Sequence, residues 1–214
     1  MGDVLDLGYV RLIRWMGGDS AVLEAARICY QTESSGPEAD IRLINRLINS
    51  DPEHGTPFEH AVFQFEVKCP IFTARQHLRH RAGCSYNERS LRYTVADREY
   101  YTPKELRKTV NGWPDGGWEY QEAMEAGFDA YEYLRELGIP KELARGVIGT
   151  AVYTEFMWTV NARALMHFIT QRIDSHAQWE IRQYAKALLD IMIEVMPITG
   201  KIFAEKIGVH SGTS

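Results

Sequence analysis

Residues 79–93 read Arg-His-Arg-Ala-Gly-Cys-Ser-Tyr-Asn-Glu-Arg-Ser-Leu-Arg-Tyr. Four arginines, a histidine, two serines, an asparagine and a glutamate stand within these fifteen residues. Fixed donors at this density are costly to desolvate unless an anionic, hydrogen-bonding ligand satisfies them. Arginine forks grip phosphate through two parallel bonds, and serine and asparagine at a turn add hydroxyl, amide and backbone donors. Just upstream, Arg75 and Arg79 are four residues apart, as are Gln76 and His80, so a helix there carries two adjacent polar stripes. A solvated helix face has the same spacing. What favours a ligand is that the polar run continues through Arg81, Asn87, Glu88, Ser90 and Arg92.

A second group lies at 161–172. Asn161, Leu165, Phe168 and Arg172 fall at i, i+4, i+7 and i+11 on one helical face, with Arg163 and His167 on the neighbouring stripe. An apolar stripe framed by asparagine and arginine suits a ligand-facing helix; a helix half in water at an interface is the alternative. Asp174-Ser175-His176 then turn the chain. Metal binding is not expected. The His54/His60 pair spans Pro57, and His80, near His77, stands between two arginines that repel a cation. Cys84 has cationic neighbours that would lower its pKa, which makes it a conceivable nucleophile; a small filler residue is the plainer reading. There is no Gly-rich dinucleotide fingerprint and no P-loop, so a dinucleotide would be held some other way.

The whole chain is acidic, with net charge −5 over 214 residues and a pI of about 5.8. That argues against a nucleic-acid binder. Between residues 75 and 98, however, Arg75, Arg79, Arg81, Arg89, Arg92 and Arg98 face only Glu88 and Asp97. A local positive patch on an acidic chain suits a small phosphorylated ligand. With 45% hydrophobic and 25% charged residues, 1–214 reads as one domain with a real core. Three widely spaced cysteines suggest neither a disulfide framework nor a zinc site. With an acidic start instead of a basic leader, they point to the cytoplasm. No apolar run reaches the length of a membrane span.

The elements that must position these residues are legible from pattern. Residues 4–15 predict an opening strand or two, and Asp19-Ser20 an N-cap for the first helix. A second helix follows Pro37, and 54–60 reads as a loop. Phe63, Phe65 and Val67 alternate with polar residues, hence a strand. Pro70 opens a helix over 71–81 that Gly83 ends, and 85–93 is loop or short strand. Thr102-Pro103-Lys104-Glu105 has the form of a capping box starting another helix, and 111–117 is a turn-rich loop. Helices are predicted over 118–137, 140–159, 161–172, 176–196 and 197–208, with Ser175 and Gln178 as a further capping box. The class is α+β, with a mixed or antiparallel sheet from the N-terminal half and a helical C-terminal half.

An ordered set of blocks resembles the flavin-dependent thymidylate synthases. They are His54-Gly55-Thr56-Pro57-Phe58-Glu59-His60, Ala74-Arg75-Gln76, Arg79 to Tyr93, Glu142-Leu143-Ala144-Arg145, Trp158 to Arg163, and Arg172 to Glu180. The resemblance implies methylation of dUMP to dTMP with FAD, NADPH and 5,10-methylenetetrahydrofolate, without an enzyme cysteine nucleophile. It implies a homotetramer whose active sites are built by more than one subunit. It places Gln76, His77, Leu78, Arg79, Glu88, Arg89, Ser90, Leu91, Arg92, Arg145 and Arg172 at dUMP. Ser90, Arg92 and Arg145 would hold the phosphate, and Arg172 would be catalytic. Thr56, Arg79, His80, Arg81, Glu88, Asn161, Arg163, His167 and His176 would contact FAD, and His54 the folate side. The chain departs from the family in four ways. Eight residues separate Arg81 from Ser90 where many members have seven, with Cys84 in the lengthened part. His77 and Leu78 replace bulkier aromatics, His167 an asparagine, and Cys29 a serine.

Overall fold

Two strands with alternating burial lie side by side and form the spine of the fold. In β3 (Val62–Pro70), Phe63, Phe65, Val67 and Cys69 are buried while Gln64, Glu66 and Lys68 face outward. In β5 (Tyr153–Asn161), Phe156, Trp158 and Val160 are buried and Glu155, Met157 and Thr159 are not. The two pair antiparallel from Val62 opposite Asn161 to Pro70 opposite Tyr153. The computed structural model describes residues 2–29, 31–103 and 117–209. Within them, β1 (Gly2–Val4), β2 (Gly8–Met16) and β4 (Cys84–Glu88) complete a five-stranded sheet in the order β1-β2-β3-β5-β4, every pairing antiparallel.

Helices cover the apolar face. They are α1 (Asp19–Ile28), α2 (Pro37–Asn49), the short α3 (Ile71–His77), α6 (Ala162–Ile173), α7 (Trp179–Val195) and α8 (Pro197–Lys206). In α7, Ile181, Tyr184, Ala185, Leu188, Leu189 and Met192 recur at helical spacing and are all buried. A second, smaller cluster is centred on Phe128 and Tyr131 of α4 (Gly117–Glu136), with Ala144 of α5 (Lys141–Ala144) and Val152. The first helix is capped differently from expectation. Gly18 is its N-cap, and Asp19 instead accepts from the backbone N–H groups of Ile198 (2.8 Å) and Thr199 (3.0 Å) at the start of α8.

The α+β class holds, but the sheet is not confined to the N-terminal half. The helix expected over 140–159 is a single turn, α5, followed by a 3₁₀ turn at Arg145–Val147 and then β5. Gly146 and Gly149 interrupt the helix, and the β-branched and aromatic residues beyond them alternate. The helix expected over 71–81 ends at His77, with Gly83 in the following turn. The 54–60 segment contains a 3₁₀ turn, Thr56–His60. The Ser175/Gln178 capping box does not form: Gln178 is the N-cap of α7, with no side-chain bond to the helix. The helix predicted from Thr102 and the loop at 111–117 fall almost wholly outside the described residues.

Candidate active site

Arg172 stands in the last turn of α6, half-buried, facing the C-terminal end of α3. Its Nε donates to Nε2 of His80 at 3.0 Å, and a terminal nitrogen donates to the carbonyl of Gln76 at 3.4 Å. Gln76 reaches the other way, its amide donating to the side-chain oxygen of Gln178 at 2.7 Å. The His167 ring lies 5.8 Å from that of His80, and Phe168 packs against His80 at 4.8 Å. Burial and the Arg172 charge, with a contribution from His167, depress the pKa of His80 to about 4. Burial also lowers that of Arg172. Gln76, His80, His167 and Arg172 thus come together from segments about ninety residues apart.

At the other end of α6, Asn161 is the N-cap, its side-chain oxygen accepting from Ala164 N at 2.9 Å. Gly83, at φ +67°, presses on it: a Cβ there would lie 2.6 Å from Asn161 Nδ2. Arg163 lies against Gly55 and pairs with Glu59 at 2.6 Å. Thr56 opens the same 3₁₀ turn and is exposed. Two glycine-backed loops therefore seat the asparagine and arginine that begin α6. His54 and His176 are exposed, the latter against Asp174 at 2.9 Å.

A third group gathers at α5. Arg92 pairs with Glu142 at 3.3 Å, and Lys141 donates to the carbonyl of Tyr93 at 2.9 Å. Arg145 follows Glu142 by three residues. Ser90 anchors the turn, its carbonyl accepting from Tyr93 N and Thr94 N, each at 3.0 Å. Glu88, ending β4, accepts from the Thr154 hydroxyl at 2.7 Å. Among the described residues, no hydrogen bond or ion pair joins this group to Arg172.

Several expected site residues stand elsewhere. The His77 side chain is fully buried in the aromatic core, between Phe168, Phe156, Trp158 and Tyr184, and offers no surface to a ligand. Leu91 packs into the α4 cluster, and Leu78 is the C-cap of α3. Arg89 is committed to Asp97 (2.6 Å) and the Val95 carbonyl (2.8 Å), so it builds its own loop. Arg98 is tied to Glu125, Asp129 and Glu132. The cationic patch therefore narrows. Arg75, Arg79, Arg81 and Arg145 have no acidic partner among the described residues, and Arg79 and Arg81 are exposed beside His80. Cys84 also differs: burial pushes its thiol pKa up, and its Sγ donates to the Ala82 carbonyl at 3.4 Å. The cationic neighbours expected to activate it do not dominate. Gln178 joins the Arg172 group through Gln76, a neighbour that only the fold brings to it.

The arrangement can bind an anionic, planar, hydrogen-bonding ligand and stabilise negative charge beside Arg172. Among the described residues no cluster of His, Cys, Asp and Glu could hold a metal ion.

The family model described as "Thymidylate synthase complementing protein" matches residues 11–198. A flavin-dependent thymidylate synthase of Thermosipho africanus is 44% identical over 215 residues, covering 94% of this chain and 92% of that protein. One of Thermus thermophilus is 40% identical, covering 94% and 77%. A solved UMP/dUMP methylase, PolB of Streptomyces cacaoi bound with 5-Br dUMP, superposes with TM-score 0.83 at 31% identity, covering 95% of this chain and 97% of that one.

Proposed function

The chain belongs to the thymidylate synthase complementing protein family, the flavin-dependent thymidylate synthases, and we propose that it methylates dUMP to dTMP with FAD, NADPH and 5,10-methylenetetrahydrofolate. The observation that carries this reading is the guanidinium of Arg172. It is fixed along one edge by His80 and Gln76, in a wall that Arg79 and Arg81 make cationic.

Carbon 5 of uracil is a poor nucleophile until charge builds on the ring. Arg172, placed beside the ring's carbonyls, favours that anion by preorganised electrostatics. A lost donor of this kind typically costs about 2.7–4 kcal/mol of barrier. Carbon 5 then takes the one-carbon unit and gives up its proton. The thiol of Cys84 is not used, in keeping with its raised pKa. Arg92, Arg145 and Ser90 hold the phosphate, with Gln76, Arg79 and Glu88 along the nucleoside.

The residues at the start of α6 fit a flavin dinucleotide. Arg81 and Arg163 supply charge for a pyrophosphate, Asn161 and Thr56 polar contacts beside it, and His167 and His176 polar contacts further along the dinucleotide. Glu59, which now holds Arg163, would be displaced by that anion. When bound, a flavin would supply the hydride chemistry, with NADPH as its reductant. His54 stands on the folate side.

We read the active assembly as a homotetramer with sites shared between subunits. That no direct bond joins the Arg92–Arg145 group to Arg172 among the described residues is in keeping with this reading. The whole of 1–214 serves as one synthase domain. Three free cysteines support a cytoplasmic setting, and no described helix is long and apolar enough to cross a membrane.

The test is tritium release from dUMP labelled at carbon 5, with each component omitted in turn. Release that requires flavin, NADPH and methylenetetrahydrofolate is expected. Flavin-bearing protein that oxidises NADPH without any release would instead be a reductase.

A further inference from the structure

A guanidinium on a flexible stem has no fixed direction of its own, so a catalytic arginine needs something that orients it. We propose that His80 is a positioning residue: by accepting from Nε of Arg172, its Nε2 sets the direction in which the guanidinium presents its remaining N–H groups to the nucleotide. The inference rests on the function proposed above and adds a role for His80 beyond contact with a flavin.

Donor chemistry fixes the state of the ring. Arginine Nε–H can only donate, so the His80 Nε2 that it meets at 3.0 Å must carry a lone pair. The ring is therefore neutral, with any proton on Nδ1. Its surroundings keep it so. Burial acts first, and the Arg172 charge and then His167, both facing it from α6, add to it. A charged imidazole here would lose the bond and stand against a guanidinium.

Two hydrogen bonds to the His77 carbonyl brace the turn that carries the ring, and Phe168 packs on the ring itself. The His80 backbone N–H donates to the carbonyl of His77 at 3.0 Å, and the Tyr86 hydroxyl of β4 donates to the same carbonyl at 3.0 Å. Phe168 packs edge-on against the ring at 4.8 Å. Sheet and helix thus fix His80, and His80 fixes Arg172. The Gln76 carbonyl takes one further N–H. The other three N–H groups, two on one terminal nitrogen and one on the other, are left for the substrate.

The test uses the full-length, flavin-loaded protein and compares His80→Phe with His80→Gln. Phenylalanine keeps the ring packing and removes the acceptor; glutamine restores an acceptor at similar reach. His80→Phe should lower kcat about 10²-fold, the scale of an ångström-sized misplacement, with a smaller change in KM for dUMP. His80→Gln should recover most of that loss. In an Arg172→Lys background, which lacks the Nε donor, His80→Phe should cost far less. A wild-type kcat in His80→Phe, loss of flavin affinity alone, or equal losses in both backgrounds would overturn the proposal.

A second arm needs no turnover. Ring nitrogen NMR, with the His80 signal identified by its absence in His80→Gln, should show a bare Nε2. Arg172→Leu should raise the midpoint at which His80 titrates. An unmoved midpoint would sink the proposal even if the protein is a synthase. A moved midpoint in protein that does not methylate dUMP would keep the pairing and reject the function.

Discussion

The imidazole of His77 lies over the ring of Phe168, with centroids 4.6 Å apart and planes 25° from parallel. Phe156, Trp158 and Tyr184 meet it edge-on. It is completely buried, and neither ring nitrogen has a hydrogen-bond partner. Each unsatisfied buried polar group costs about 1–3 kcal/mol, whereas an apolar group of the same shape costs nothing of the kind. His77→Phe should therefore stabilise the fold by about 1–2 kcal/mol and raise the melting temperature, with flavin binding unchanged. A lower melting temperature would mean that the core uses a polar ring here.

The same burial makes stability depend on pH. The pKa of His77 is lowered to about 3, chiefly by burial and then by His80 and Arg172. Above about pH 6.5 the ring is neutral both folded and unfolded, and pH has no effect through it. Below that, the unfolded chain takes up a proton that the folded chain refuses, so stability falls with pH until about 3. The slope from one such group is about 1.4 kcal/mol per pH unit. Urea unfolding between pH 7 and 4 should show His77→Phe losing less stability than the wild type by roughly this slope. Parallel curves would show that His77 is protonated in the folded state.

Much of this was readable in the sequence. β3 and the helices α4, α6, α7 and α8 follow from periodicity, because each buries a single face against one core. β5 was not read as a strand, although Phe156, Trp158 and Val160 alternate with Glu155, Met157 and Thr159. Helix-favouring residues at 141–145 masked the change of period, and only β3's need for a neighbour decides it. Residue type revealed the cationic patch but not which arginines remain available. Arg89 and Arg98 are satisfied by acids that folding brings to them, Asp97 in the same loop and three carboxylates on α4. His77 was misplaced because spacing puts it among polar residues, while its direction on a seven-residue helix points it inward.

Gly83 resists replacement for both backbone and steric reasons. Its φ of +67° is unfavourable for an L side chain by roughly 1–2 kcal/mol. A methyl group would lie 2.6 Å from Nδ2 of Asn161, whose displacement would uncap α6 at a further cost of about 1 kcal/mol. Gly83→Ala should lose about 2–3 kcal/mol in urea unfolding. It should also weaken flavin binding, since Asn161 is among the proposed contacts. Full stability with full flavin affinity would mean that the loop relaxes away from Asn161.

Cys84 tests whether the chemistry uses an enzyme thiol. It lies in the lengthened part of the arginine-rich segment, where its position alone suggests a nucleophile. A nucleophilic cysteine needs its thiolate, and burial moves this one the wrong way. Its Sγ–H also donates to the Ala82 carbonyl at 3.4 Å, a bond that the thiolate could not make. If Arg172 activates carbon 5 electrostatically, Cys84→Ala should change kcat by no more than a factor of about two, the scale of an ordinary substitution near a surface. Attack by the thiol on carbon 6 would instead make the same variant lose turnover by orders of magnitude while still binding dUMP. Measuring kcat and dUMP affinity on one preparation separates the two, because only loss of a nucleophile removes the first and spares the second.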